Sequence, residues 1–388
     1  MSVTAPLGFR AAGVAAGLKP SGRPDMAVVL NDGPSRAAAA VFTSNRVQAA
    51  PVTWTRQVVK DGRVRAVVLN SGGANACTGP QGFQDTHATA EHLAAAIGAL
   101  SDEVGAGEIA VCSTGLIGER LPMDKLLPGV DAAVAGASRS GGLAAADAIR
   151  TTDTVVKIAF RREDGYAIGG MAKGAGMLAP GLATMLCVLT TDADLPPDRL
   201  GAALRTATAL TFDRLDTDGC MSTNDTVLLM ASGAAGVSPG HREFTETLTE
   251  VCADLARQLQ LDAEGANKMI TIEVVGAASE ADAVTAGRAV ARNNLLKCAI
   301  GGEDPNWGRV LAAVGTTDAV FEPDRLNVAI NGIWVCRHGA PGDERAKVDL
   351  KPKDVTITVD LSAGPHSAII LTTDLTTEYV HENSAYST

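Results

Sequence analysis

The sequence predicts an α/β protein: a layered α-β-β-α sandwich with mixed sheets, followed by a smaller C-terminal α+β lobe. Three observations predict it. Apolar strand-like runs arrive in clusters separated by single helical stretches, without the strict alternation of a doubly wound parallel sheet. The 388 residues include 41 glycines but only 3% aromatics, a composition that lets backbones approach closely and favours helices laid on sheets. Late in the chain, Asn331-Gly332 stands between two apolar runs, a strong hairpin signal because both turn positions must accept positive φ.

Taken in order, "MAVVLN" (26–31), "AAVFTS" (39–44), "RAVVLNS" (65–71) and "EIAVCST" (108–114) are short apolar runs that read as buried strands. "VVKIAF" (155–160), "TMLCVLTT" (184–191), "TVLLMAS" (226–232) and "TIEVVGA" (271–277) continue the series. Helices are expected at 85–100, 122–135, 198–211, 242–260 and 280–298. Pro122 and Pro197 suit first-turn positions, and "HREFTETLTEVCADLARQLQ" carries apolar residues at i, i+3, i+4 and i+7 spacing. The Asn-Gly hairpin, "VTITVDL" and "SAIILTTDL" supply the last strands. The expected boundary lies near "VVGAASEAD", giving a sandwich of 1–276 and a smaller lobe of 277–388.

Several function classes fall away. A net charge of −11 disfavours nucleic acid or an anionic membrane as partner. No apolar run approaches 18 residues, and the first residues show no basic region followed by an apolar core, so neither a membrane span nor a signal peptide is expected. Seven cysteines, none closer than 32 residues to the next, give no zinc or redox spacing and read as reduced, buried thiols of a cytoplasmic protein. There is no GxxxxGK[ST], no GxGxxG after a strand and no GxSxG. "DTDGCMSTND" (216–225) starts like a calcium loop but has Met221 where glycine is required, and no metal site is expected. Its Asp216, Asp218, Asn224 and Asp225 read equally as hydrogen-bonding supports for a site or as turn caps.

Threonine chemistry survives this sieve. A threonine hydroxyl is a weak nucleophile unless a base adjoins it, and its own α-amine serves once the preceding peptide bond is cut. The amine's ordinary pKa of about 7.7–8.0 suits that task at neutral pH. In "MLAPGLATML" (177–186), Pro180 and Gly181 break an apolar run just before Ala183 and Thr184. From pattern alone, Thr184 is either such a nucleophile or the first residue of a buried strand.

"KGAGMLAPGLATMLCVLTTDA" (173–193) resembles the cleavage signature of the ornithine acetyltransferase family, the glutamate N-acetyltransferases of the cyclic arginine pathway. "NSGGANACTG" (70–79), "CSTGLIGERLPM" (112–123), "FDRLDTDGCMSTNDT" (212–226), "DPNWGRVLAAVG" (304–315) and "ENSAYST" (382–388) resemble further family blocks in the same order, closest to the actinobacterial branch.

The resemblance implies self-cleavage between Ala183 and Thr184 into associated α and β chains, with Thr184 the nucleophile. It implies an oxyanion hole from Thr114 and Gly115, and substrate contacts from Thr151, Lys173, Thr184, Glu264, Asn383 and Thr388. Glu264 suits an ornithine ammonium and Lys173 an α-carboxylate. Acetyl would pass from N-acetylornithine to glutamate through the enzyme itself, with no cofactor, in a cytoplasmic α2β2 heterotetramer. Members that also take acetyl from acetyl-CoA share these motifs. The same nucleophile with water admitted gives the alternative, a self-processing amidase or aminopeptidase. "NSGGAN" and "DPNWGR" read as tight turns and close-packed loops beside the site.

Overall fold

A computed structural model describes residues 2–99, 104–179 and 185–385. The chain begins β1 (Phe9–Val14), β2 (Met26–Asn31), β3 (Ala37–Phe42), α1 (Ala50–Val58), β4 (Ala66–Asn70), α2 (Gly79–Gly98), β5 (Ile109–Ser113). It continues α3 (Met123–Gly136), α4 (Gly142–Ala148), β6 (Lys157–Glu163), β7 (Tyr166–Lys173), β8 (Leu186–Thr191), α5 (Pro197–Leu210), β9 (Thr226–Ala231), α6 (His241–Leu261). Next come β10 (Met269–Ala277), α7 (Glu280–Ala291), α8 (Asn294–Gly301), α9 (Trp307–Val314), β11 (Asn327–Ile330) and β12 (Ile333–Arg337). It closes with β13 (Ala340–Pro341), β14 (Asp354–Asp360), β15 (His366–Thr373) and α10 (Thr377–Ala385).

Three mixed sheets result. The first is ordered β1-β2-β4-β5, the second β3-β9-β8-β7-β6 and the third β13-β12-β11-β14-β10-β15. Each holds one parallel pairing, β4/β5, β8/β9 and β10/β14 respectively. Sheets one and two face each other across a core that includes Phe9, Val29, Leu69, Met171, Val188 and Met230. The outer face of sheet one packs on α2 and α3 through Val28, Val68, Val111, Leu93 and Val130. The outer face of sheet two packs on α5 and α6 through Leu189, Leu229, Leu204 and Leu255. That is the expected α-β-β-α sandwich. Sheet three packs on α7, α8 and α9 in a separate core, through Ile272, Val290, Ile300, Val310 and Ile357.

Small residues allow the close layering. β7, which holds Gly169 and Gly170 and is not among the expected strands, is a fully buried strand. A Cβ on Gly169 would lie 2.2 Å from the Ser2 carbonyl oxygen, so the N-terminal segment crosses the strand only because the side chain is missing. The hairpin turn forms as expected, with φ of 47° at Asn331 and 80° at Gly332. The helix expected over 280–298 is two helices: the Asn293 side chain accepts from the Leu296 amide and starts a new one. Helix α2 opens at Gly79, six residues before the expected start, with Pro80 in its first turn. β1, β7, β13, α1, α4, α9 and α10 are additions to the expected set. The boundary expected near residue 276 falls at the end of β10, a strand of sheet three. Four cysteines are buried, but Cys77, Cys220 and Cys298 are exposed, which corrects the expectation of buried thiols throughout. Among the described residues, no helix is long and apolar enough to cross a membrane.

Candidate active site

Strands β4 and β5 end side by side, Asn70 opposite Ser113, and the loops beyond them fold against each other. Ser113 Oγ donates to Asn70 Oδ1 at 2.6 Å, and Asn70 Nδ2 donates to the Gly73 carbonyl at 2.9 Å. The Thr114 amide donates to the Asn70 carbonyl at 2.9 Å. From the loop before β9, Asn224 Nδ2 donates to the carbonyls of Ala74 and Ser113 at 2.6 and 2.8 Å, stapling sheet one's loops to sheet two. Gly115, at φ 126°, allows the closest approach: a Cβ there would lie 2.8 Å from the Gly73 nitrogen. "NSGGAN" therefore builds the platform under Thr114 and Gly115.

Lys173, the last residue of β7, is buried and donates through Nζ to Thr114 Oγ1 at 3.3 Å. An ammonium only donates, so the Thr114 oxygen accepts and its own proton is free to point elsewhere. Burial pushes Lys173 below the ordinary lysine range, while Asp153 is the main influence raising it. Asp153 is itself fully buried and saturated with donors. Its Oδ1 accepts from Lys157 Nζ at 2.6 Å and the Gly174 amide at 2.7 Å, and its Oδ2 from the Thr151 amide at 3.0 Å. Lys157 also reaches Asp262 Oδ2 at 2.5 Å. Burial works against ionising Asp153, but the charges of Lys173 and Lys157 hold its carboxyl at about 2.

Opposite Lys173, Glu264 follows α6. Thr152 Oγ1 donates to its Oε1 at 2.8 Å and Asn383 Nδ2 to its Oε2 at 2.9 Å. Each carboxylate oxygen keeps lone-pair capacity for a further donor. Helix α10 brings Asn383 here by a tight docking. Thr376 Oγ1 donates to the Gly265 carbonyl at 2.6 Å, and a Cβ on Gly265 would lie 2.2 Å from the Tyr379 nitrogen.

Thr114, Gly115, Thr151, Lys173, Glu264 and Asn383 all line one cleft, joined there by Ala74, Ile117, Thr152, Gly176, Met177, Ser222, Thr223 and Asn224. Ala183, Thr184 and Thr388 lie outside the described residues. The first described residue after Thr184 is Met185, and Leu186 pairs directly with Lys173, which lines the cleft. The loop of residues 216–225 serves the site through hydrogen bonds rather than only capping a turn. Asp225 Oδ1 accepts from the Met185 amide at 3.0 Å, and Asp218 Oδ2 accepts from the Met177 amide at 2.6 Å. Burial pushes Asp225 well above the usual carboxylate range, and among the described residues its Oδ2 has no hydrogen-bond partner. Sequence reading missed Thr152, Asp153, Lys157 and Asp262, because lone charges in "TTDTVVK" and "LDAEG" look like ordinary surface residues. "DPNWGR" opens α9 beside α7, in the lobe of sheet three and away from the cleft lining, which corrects its expected position.

A profile described as the ArgJ family matches residues 10–388. The chain is 74% identical over 388 residues to the arginine biosynthesis bifunctional protein ArgJ of Thermobifida fusca, covering 100% of both chains. It is 66% identical over 387 residues to the protein of the same name from Streptomyces coelicolor, again covering 100% of both. A solved ornithine acetyltransferase of Mycobacterium tuberculosis, complexed with ornithine, is 62% identical over 48% of this chain and 96% of that chain, with a TM-score of 0.46. The profile over residues 10–388 and the identities to the two full-length relatives agree: the chain belongs to the ArgJ family.

Proposed function

We propose that the protein is a glutamate N-acetyltransferase that moves acetyl from N2-acetyl-L-ornithine to L-glutamate through an acetyl ester on Thr184, after cutting its own chain before that residue. The observation that carries this reading is convergence. Six residues drawn from β5, β7 and their loops, the turn after α6 and helix α10 line a single cleft, at whose edge Leu186 sits two residues from the nucleophile. The names of the similar proteins assign them to arginine biosynthesis, and one of them is an ornithine acetyltransferase.

In maturation, Thr184 Oγ attacks the Ala183 carbonyl carbon. The C–O bond forms, the C–N bond breaks and the hydroxyl proton passes to the freed amine. Water then opens the ester, leaving a carboxylate on Ala183 and restoring the hydroxyl. In transfer, the Thr184 amine takes the hydroxyl proton while Oγ attacks the acetyl carbonyl of N-acetylornithine. The developing oxyanion faces the Thr114 hydroxyl and the Gly115 amide, and Lys173, by donating to Thr114, turns that hydroxyl's proton toward the cleft. The amine's proton goes to the departing ornithine nitrogen as the C–N bond breaks.

Glutamate reverses these steps with its own α-amine as acceptor. Glu264, held in place by Thr152 and Asn383, meets the ornithine ammonium, and Thr151 contacts the glutamate side chain. Family membership extends the reading to Thr388 as a substrate contact, to an α2β2 assembly and to a cytoplasmic location.

Intact-protein mass spectrometry before and after mixing with N-acetylornithine tests this. Fragments ending at Ala183 and starting at Thr184, with one acetyl gained on the second, are expected. An uncut chain, or free acetate without N-acetylglutamate when glutamate is added, overturns it, the latter in favour of a hydrolase. The oxyanion role has its own check. Gly115→Ala is expected to lower kcat about 10²-fold by displacing one donor, with KM little changed in steady-state kinetics.

A further inference from the structure

The loop between β1 and β2 is knotted around one buried carboxylate. Asp25 accepts from the Ala16 amide at 2.7 Å through Oδ1, and from the Leu18 and Lys19 amides at 2.6 and 2.9 Å through Oδ2. The loop presses on the platform under the cleft: a Cβ on Gly72 would lie 2.3 Å from Leu18 Cβ. Loop and platform both meet the end of α4. Ser71 Oγ donates to the Ala148 carbonyl at 2.6 Å. The Lys19 ammonium donates to the Arg150 carbonyl at 2.6 Å and to the Pro24 carbonyl at 3.1 Å. The Arg150 carbonyl and the Thr151 amide belong to one planar peptide unit. Lys19 holds its oxygen, and Asp153 Oδ2 accepts from its N–H at 3.0 Å. Thr151, which lines the cleft, therefore follows a peptide plane gripped at both edges by charged groups.

We propose that Lys19 is a positioning residue for glutamate: by pinning the peptide unit before Thr151, it fixes where that side chain meets the acceptor in the second half of the transfer. This rests on the function proposed above, with Thr151 as the contact to the glutamate side chain. Lys19 stands behind the cleft lining and acts only through Thr151. Its charge matters, because an ammonium donates a stronger hydrogen bond to a carbonyl than a neutral amine does. Burial pushes that ammonium from 10.5 down to about 8, with Arg23, Lys173 and Arg150 pushing the same way and Asp25 opposing them. The grip is complete below that value and weakens as pH rises through it.

Transfer through a covalent acetyl-enzyme makes kcat/KM for each substrate report its own half-reaction, so steady-state kinetics test the proposal. Lys19→Met is expected to lower kcat/KM for glutamate about tenfold, mostly through KM, the loss of one charge-assisted hydrogen bond. Its kcat/KM for N-acetylornithine is expected to fall about threefold or less, a split that general loosening of the fold would not give. Lys19→Arg keeps a cation at every working pH and is expected to stay within about threefold of wild type for glutamate at neutral pH. The ratio of wild-type to Lys19→Arg kcat/KM for glutamate is expected to fall as pH rises through about 8, since only the lysine loses its charge. Equal losses for both substrates in Lys19→Met, no loss for glutamate, or a ratio to Lys19→Arg that stays flat with pH overturns the proposal. A wild-type protein that forms no N-acetylglutamate overturns the function proposed above instead.

Discussion

Thr184→Ala is expected to abolish chain cleavage and acetyl transfer together, leaving a single full-length band on a denaturing gel and transfer reduced by about 10⁴-fold or more. Two losses share one cause. Without the hydroxyl no ester forms with Ala183, so the amine that would act as base is never released, and no oxygen remains to carry acetyl. The surroundings are expected to be unaffected, because the cleft is built by other residues: Asn70, Ser113 and Asn224 hold its floor, and Asp153 fixes the backbone just after Lys173 through the Gly174 amide. Thr184→Ser restores a hydroxyl and with it measurable cutting and transfer. An alanine variant that transfers acetyl at a normal rate would remove Thr184 from the chemistry.

Lys157→Met is expected to cost about 3–5 kcal/mol of stability. The Lys157 and Asp153 side chains are 0% exposed and that of Asp262 only 7%, so the substitution strands two carboxylates with no cation between them. Urea unfolding in the uncut Thr184→Ala background gives the number, since that chain unfolds as one piece. The pH dependence has a definite sign. Asp153 has its carboxyl lowered from 3.8 to about 2 in the folded state, so its contribution to stability is complete above the unfolded value. That contribution is lost as pH falls from about 4 towards 2. Without Lys157 the folded carboxyl titrates higher, and acid unfolding is expected at a higher pH. Equal stability in the two proteins would mean that the buried triad is structurally idle.

Where the chain repeats at a simple period, the sequence was sufficient. Helix α6 shows its apolar stripe, the Asn331-Gly332 turn shows its chemistry, and β9 is an unbroken apolar run. β7 was illegible because its glycines matter for what crosses them, and nothing near them in the chain mentions Ser2. Thr114, Gly115, Lys173 and Glu264 were legible only through a family resemblance, since an isolated lysine or glutamate looks the same in a cleft or on a surface. The supports behind them were invisible for a further reason. Asp153 lies near Lys157 and Gly174 but acts with Asp262, and Asn224 works more than a hundred residues away, on Ser113. Long-range hydrogen bonding leaves no local period to read.

The place of β8 in sheet two has a kinetic meaning. In the order β3-β9-β8-β7-β6, a cut before Thr184 leaves β8 and β9 on one fragment and β3, β7 and β6 on the other. Two strands of the younger fragment are then clasped between strands of the older, with hydrogen-bonded seams at β3/β9 and β7/β8. Folding before the cut is a first-order event in a single chain. Assembly from separated fragments after it is second order and falls away on dilution. With the proposed cut, maturation would work as a ratchet, in which the protein folds once with its ends tied and afterwards persists because neither fragment holds all the strands of sheet two.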